Sequence, residues 1–299
     1  MPQASSNGIQ IEYDSFGDQA DPALVLIMGY AAAMDWWDEE FCQLLAGRGF
    51  FVVRFDNRDV GRTTHFTGVE PDLEAIMKGD AASRAYTVDD MADDVVGLLD
   101  TLGIEQAHIV GASMGGMIAQ MVAIRHPDRV LSLTSIMSTP GPLPSPGDPQ
   151  LAAIGEALAD RGGRDATIDH EVELRRMLAG SGHPFDPVRA RRCATREWDR
   201  DPHHDRGGVR RQLAAMATAG NRHVALAGVR APVLVLHGAD DPVVPVESGE
   251  ETAAAVPGAT LMVLPGVGHE LPTQVWPQVA DAIAANAARA TTARHQLDL

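Results

Sequence analysis

The sequence predicts an α/β fold, a mostly parallel central sheet flanked by helices and interrupted by a helical cap. Three observations carry this. Apolar runs of strand length recur at residues 23–28, 50–55, 107–110, 131–137, 233–236 and 260–264, the mark of strands buried on both faces. Helical patterns lie between them, the alternation of a parallel sheet covered on both sides. The alternation fails between residues 139 and 230, where helical patterns occur without a strand run.

The elements follow in order. Ile9–Phe16 alternates apolar and polar residues, which reads as a strand with one wet face. Thr87 is an N-cap with Asp90 three residues on as its capping-box partner. Val88, Met91, Val95, Leu98, Leu99 and Leu102 then repeat at helical spacing, and Gly103 stops the helix. After the strand at 131–137 comes Pro140-Gly141-Pro142-Leu143-Pro144-Ser145-Pro146-Gly147, a turn-rich linker. Helical patterns follow at 151–158, 172–178, 187–198 and 209–219. The expected division is a core of residues 1–138 and 231–299 with a cap of residues 139–230. The polar stretch after residue 287 is expected to fray.

Composition narrows the function. With 299 residues, 45% of them hydrophobic and 22% charged, the chain is neither disordered, fibrous nor a membrane bundle. It is long enough to bury a large core without disulfide or metal staples. Its 24 basic and 41 acidic residues give a net charge of −17, which repels nucleic-acid phosphates and anionic lipid headgroups alike. Neither nucleic acid nor membrane is an expected partner. Lys78 is the single lysine, so chemistry that needs an amine has one candidate. Cys42 and Cys193 read as free thiols of a reducing compartment. Residues 1–6 show neither the basic nor the apolar part of an export signal. The apolar run at 23–34 is broken by Gly29 and too short for a bilayer. A cytoplasmic location is expected.

The chemistry concentrates in Gly111-Ala112-Ser113-Met114-Gly115, a G-x-S-x-G pattern. The pattern alone is short enough to arise by chance. Its context is informative, because it follows the buried run 107–110 and precedes a helical run from Met114 to Arg125. That is the strand–turn–helix of a nucleophile elbow, so tight that side chains two before and two after the serine would collide. A serine hydroxyl needs a base. In chain order Ser–acid–His, His269 is the candidate, in the Gly-rich loop Pro265-Gly266-Val267-Gly268-His269-Glu270 after the strand at 260–264. The acid follows the strand at 233–236, where Asp240 and Asp241 are adjacent. Neighbouring loop side chains point apart, so one of them serves. Asp241 is assigned to the imidazole and Asp240 to the amides of its own turn. The backbone N–H groups of Met114, after the nucleophile, and of Tyr30, in the loop Met28-Gly29-Tyr30-Ala31, are assigned to the oxyanion hole.

These residues resemble the α/β-hydrolase superfamily over about residues 9–285, with the cap the least matched part. Asp56-Asn57-Arg58-Asp59-Val60-Gly61-Arg62-Thr63 is similar to that superfamily's D-x-R-G-x-G-x-S turn, with Asp59 where glycine is usual. The Met28-Gly29 segment, where many relatives have His-Gly, looks most like the aclacinomycin methylesterase group and related actinobacterial esterases. The resemblance implies an α/β-hydrolase fold and cofactor-free hydrolysis of a small or medium apolar or aromatic ester, a methyl ester among them. The same triad also serves lactone, carbon–carbon and perhydrolase chemistry, and some members of the fold only bind ligands. Epoxide hydrolases and dehalogenases need aspartate where Ser113 stands. The pair His203-His204 between Asp201 and Asp205 lacks convergent metal-ligand spacing, and no metal is expected. Trp36, Trp37, Trp198, Met177 and Met216 are open between core packing and a substrate pocket. Met177, Trp198 and Met216, with Leu178, Phe185 and Leu213, are expected to cover the ester. His223 reads as a solvated loop residue.

Overall fold

The computed structural model describes residues 1–142, 162–204 and 207–297. Among them the strands are β1 (Gln3–Ser6), β2 (Ile9–Phe16), β3 (Ala23–Ile27), β4 (Phe51–Phe55), β5 (Ala107–Ala112), β6 (Val130–Ile136), β7 (Val233–Gly238) and β8 (Thr260–Leu264). They form one sheet in the order β1-β2-β4-β3-β5-β6-β7-β8. β1, β2 and β4 pair antiparallel, and β4 onward is parallel. Seven strands match runs read in the sequence. β1 was not anticipated, being four residues long. Its signal was Asn7-Gly8, both at positive φ (45° and 80°), the tight-hairpin dipeptide.

The central strands are buried on both faces, which explains their unbroken apolar runs. β3 and β4 are buried throughout. Helices α1 (Glu39–Ala46), α2 (Leu73–Met77), α3 (Val88–Thr101) and α4 (Met114–Arg125) follow in chain order. α3 carries the expected capping box between Thr87 and Asp90. The chain leaves β3 for β4 on one side, then returns to place β5 on the other. The order therefore reverses between β3 and β5, and the loops at their carboxyl ends diverge to open a crevice.

Between β6 and β7 lie α5 (Arg164–Leu178), α6 (Pro187–Arg200), α7 (Gly207–Ala217) and the single turn α8 (His223–Leu226). Three of the expected cap helices are thus found at nearly the expected places, while the fourth, at 151–158, lies outside the described residues. After β7 come α9 (Val246–Ala255) and α10 (Trp276–Leu297). α10 corrects the expectation of fraying after residue 287. Ala287 and Ala290 are buried, and the Arg289 Nη2 donates to the Gly258 carbonyl at 2.7 Å. Packing against β6 and β7 overrides the polar composition. Among the described residues no helix is long and apolar enough to cross a membrane.

Buried charge docks α6 and α7 on the sheet. Arg211 of α7 donates to both oxygens of Asp59, at 2.8 and 2.9 Å, and both side chains are buried. Asp59 also accepts from the Tyr86 hydroxyl at 2.6 Å and the Phe66 amide at 2.8 Å. The aspartate in place of the usual glycine is therefore an anchor for α7, beyond the local turn contact with Phe66. Arg200 of α6 reaches Glu12, Asp35 and Asp56. Burial pushes the Asp56 carboxyl up to about 7 against the pull of Arg200. Glu197, also on α6, accepts from the Ala33 amide at 2.9 Å and the Trp36 indole at 2.7 Å. Burial, with the charge of Glu171 adding to it, pushes its carboxyl up to about 8.

Two predictions follow from these anchors. Asp59→Asn leaves Arg211 buried without its counter-charge, which costs about 3–5 kcal/mol. Urea unfolding followed by tryptophan fluorescence should show the midpoint fall accordingly, and an unchanged midpoint would remove Asp59 from the docking. For Glu197, the folded value lies above the ordinary 4.5, so the native state holds an extra proton between that value and about 8. Stability contributed by this proton is lost as pH rises through the window. Glu197→Gln should flatten the decline of the urea midpoint between pH 5 and pH 8. Equal slopes would mean that Glu197 titrates alike folded and unfolded.

Candidate active site

Ser113 sits on the turn between β5 and α4 with φ 55° and ψ −120°, a conformation that costs a non-glycine residue of order 1–3 kcal/mol. The surroundings hold it there. Its N–H donates to the Ile136 carbonyl at 2.8 Å. Its carbonyl accepts from Gly116 N at 2.9 Å and from the Ser138 hydroxyl at 2.8 Å. The flanking glycines are obligatory on steric grounds. A Cβ on Gly111 would lie 2.0 Å from the Gly115 carbonyl oxygen, and one on Gly115 would lie 2.2 Å from that of Ile27.

His269 follows β8 and faces this serine, with Nε2 3.0 Å from Ser113 Oγ. Its Nδ1 lies 2.7 Å from Asp241 Oδ2. With Nδ1–H donating to the carboxylate, Nε2 is the acceptor for the serine hydroxyl. The Asp241 side chain is fully buried, and its Oδ1 accepts from the Val243 and Val244 amides at 2.8 and 2.9 Å. His237, buried on β7, lies 3.6 Å from the same carboxylate and shares its Nε2–H with the Val244 carbonyl. Burial lowers its pKa. His237 therefore adds no second cation that would compete for Asp241.

The structure divides the two adjacent aspartates as expected but corrects the role given to Asp240. Asp241 itself accepts the turn amides. Asp240 Oδ2 accepts from the Ser181 hydroxyl at 2.6 Å and the Ser181 amide at 3.3 Å, tying the loop to the segment after α5. That segment also pairs with the His269 loop. His269 N donates to the Leu178 carbonyl at 2.6 Å, Gly268 N to Ala179 at 3.1 Å, and Gly182 N to Gly266 at 2.8 Å. The two backbones approach so closely that a Cβ on Gly180 would lie 2.4 Å from Gly268 N.

The segment after β3 passes directly beside the nucleophile, since a Cβ on Gly29 would lie 3.1 Å from Ser113 Cβ. It is held from both sides. Asn57 Nδ2 donates to the Met28 carbonyl at 2.9 Å, and the Ala31 amide donates to Gln212 Oε1 of α7 at 2.9 Å. The Gln212 amide in turn donates to the Arg58 carbonyl at 2.9 Å. Ala31 takes a positive φ of 56° at this bend. Tyr30 and Met114 line the cavity that opens above Ser113.

That cavity has a volume of about 550 Å3. Met28, Met114, Met117, Met137 and Met216 line it, with Leu174 and Leu178 of α5 above. Methionine walls adapt to irregular apolar shapes. Of the residues expected to cover the ester, Leu178 and Met216 are in place. Trp198 is not. It stacks on His204, ring centroids 4.0 Å apart, beside a separate small cavity near Asp59 and Gln212. Met177 is 60% exposed, on the solvent side of α5. Trp36 and Trp37 are buried below the cap helices and border a smaller cavity near His269. His223 is solvated as expected, its side chain 36% exposed, but it opens α8 rather than lying in a loop, borders the main cavity and lies 3.4 Å from Glu251.

Sequence reasoning missed the positioning residues: Asn57, Gln212 and Glu197 behind the Met28–Met34 segment, and Gly180 and Gly182 behind His269. Only the Gly180-Ser181-Gly182 triplet carried a signal, two glycines around a serine at the end of a helical pattern. Cys42 and Cys193 are buried, and burial pushes each thiol up to about 12, which removes them as nucleophiles.

Known proteins agree with this architecture. The chain is 30% identical to rhodomycin D methylesterase DauP of Streptomyces sp. (strain C5), covering 93% of this chain and 95% of that one. It is 29% identical to rhodomycin D methylesterase DnrP of Streptomyces peucetius over the same shares. The crystal structure of the enol-lactonase from Burkholderia xenovorans LB400 superposes with a TM-score of 0.72 at 23% identity, covering 97% of this chain and all of that one. The family model described as alpha/beta hydrolase fold matches residues 22–272. The chain belongs to the alpha/beta hydrolase fold family.

Proposed function

We propose that this protein hydrolyses carboxylic esters of apolar or aromatic acids through an acyl-enzyme on Ser113. The carrying observation is the continuous relay from Ser113 Oγ to His269 Nε2 at 3.0 Å and from His269 Nδ1 to Asp241 at 2.7 Å. Ser113 attacks the ester carbonyl as His269 takes its proton. His269 then returns that proton to the leaving alkoxy oxygen. Water attacks the acyl-enzyme by the reverse route and frees the acid. Asp241 holds the productive tautomer and stabilises the imidazolium without taking the proton.

The carbonyl oxygen becomes an oxyanion as the tetrahedral intermediate forms. We assign its donors to the backbone N–H groups of Tyr30 and Met114. Met114 opens α4, whose first N–H groups lack intrahelical acceptors and carry the positive end of the helix dipole. Loss of one such donor costs about 3–4 kcal/mol of transition-state stabilisation. Water completes the reaction, and the residues assigned here require no cofactor.

The acyl group is placed against the methionine walls, under a cap assigned to residues 139–230 over a core of residues 1–138 and 231–299. The named activity of DauP and DnrP favours a methyl ester of a bulky acid. The net charge of −17 argues against nucleic-acid partners, and the two free buried thiols favour the cytoplasm.

Ser113→Ala should abolish turnover of methyl and p-nitrophenyl esters and labelling by a fluorophosphonate. Activity above about a hundredth of wild type would sink the covalent route. Asp241→Asn should lower kcat about ten-thousandfold, because the amide favours the wrong tautomer. Asp240→Asn should cost far less, since its carboxylate serves Ser181. The reverse ranking would place the acid one residue earlier.

A further inference from the structure

A second cavity, of about 50 Å3, adjoins the catalytic one. The two share Met28, Ala112, Met137, Arg175 and His269. Three buried polar atoms on residues of its wall have no hydrogen-bond partner among the described residues, namely Trp37 Nε1, Arg175 Nε and Glu270 Oε2. Trp37 is only 4% exposed. The other two side chains are 12% and 11% exposed. Orphaned buried polar atoms are rare because each costs its lost hydration, and a cluster of them around one cavity marks a site for a polar guest.

The three groups are otherwise held. Trp37 stacks on Phe41 with centroids 5.8 Å apart. The Arg175 guanidinium lies 3.6 Å from the centre of the Trp36 ring, and the nearest carboxylate, Glu171, is 4.0 Å from its Nε. The other oxygen of Glu270 accepts from Arg189 at 2.6 Å. The residues of its wall thus carry two unpaired N–H donors and one unpaired carboxylate oxygen. A hydroxyl oxygen is the complement: it accepts twice and donates once. The volume admits one or two solvent-sized molecules, a water occupying about 30 Å3 of its liquid. Phe41 and Trp276 supply an apolar wall for a methyl group.

We propose that this cavity is the subsite for the hydroxylic partner of the reaction, so that the preferred substrates are esters of one- or two-carbon alcohols. The inference rests on the ester reading above. In acylation the Ser113 Oγ–carbon bond forms, the carbon–alkoxy bond breaks, and His269 delivers its proton to the alkoxy oxygen. The short alcohol is received by Trp37, Arg175 and Glu270. In deacylation a water in the same place gives its proton to His269 as its oxygen bonds to the acyl carbon, and Ser113 recovers the proton as its bond to that carbon breaks.

The test holds the acid constant and varies the alcohol. On the wild-type enzyme, kcat/KM should fall at least tenfold from methyl through ethyl to n-butyl ester. For Trp37→Phe and Glu270→Gln, the measurement is the ratio of kcat/KM for the methyl ester to that for the p-nitrophenyl ester of the same acid. The nitrophenolate leaves without a proton and is too large for the cavity, so this ratio should drop at least tenfold. Damage to the fold lowers both esters together and leaves the ratio unmoved, whereas damage to His269 lowers methyl and n-butyl esters alike and leaves their ratio unmoved, a second ratio that loss of the subsite should lower. An unmoved ratio in both variants, or an n-butyl ester cleaved as fast as the methyl ester, overturns the subsite while leaving Ser113 hydrolysis standing. Failure of every ester in the wild type, with no fluorophosphonate label on Ser113, overturns the ester reading itself and this inference with it.

Discussion

The backbone pairing between residues 178–182 and 266–269 is the constraint on which the site depends. A loop ending in a histidine has no intrinsic reason to hold its imidazole 3.0 Å from a serine on another turn. Here the His269 and Gly268 amides are spent on the carbonyls of Leu178 and Ala179, and the Gly266 carbonyl accepts from Gly182. Gly180, Gly182, Gly266 and Gly268 permit it, because each added Cβ would fall within 2.6 Å of backbone atoms on the opposing segment. The segment after α5 thus holds His269 in place. On the opposite wall, Gln212 and Glu197 hold the segment beside the nucleophile through the Ala31 and Ala33 amides. Helices bonded to both sides of the crevice cannot swing away as a rigid body without displacing His269 or the segment of Ala31 and Ala33.

Charge makes this docking specific. α6 places Arg189, Arg192, Arg196 and Arg200 along one side, and each meets core carboxylates: Asp38 for the first two, Glu39 for the third, and Glu12, Asp35 and Asp56 for the last. Arg211 of α7 meets Asp59. A protein of net charge −17 thus concentrates arginine where the cap meets the core. Buried ion pairs are weak sources of net stability, because desolvation offsets the attraction, but a mispaired one is costly. Their effect is to exclude other placements of the helices.

What the sequence revealed, and what it hid, separates along the same line. Strands buried on both faces announce themselves as apolar runs, and the elbow announces itself because its glycines answer a local steric demand. Asp241 and His269 could be placed from loop position and chain order. The docking could not be read, because it depends on residues 59 to 188 positions apart. Nothing local distinguishes Gln212, whose carbonyl reaches Ala31, from any other helix glutamine. Trp198 shows the same limit from the other side. Its size suggested a pocket, yet the helix rotation that points Arg200 at Asp56 carries Trp198 round to His204.

Two chemically unlike spaces meet at His269. The larger is walled by methionine and leucine and can take an apolar group of irregular shape. The smaller carries two donors, one carboxylate and aromatic faces. An ester is divided in the same way, into an acyl part and an alkoxy part joined at the carbon that Ser113 is proposed to attack. The imidazole must face the alkoxy oxygen to protonate it, so the alkoxy part belongs on the side of His269 away from Asp241. The smaller space borders that histidine and shares Met28 and Ala112 with the larger one. Exchanging the two parts would put a bulky acyl group into about 50 Å3 and leave the short alkoxy group against apolar walls. The volumes and the polarity therefore select the same orientation.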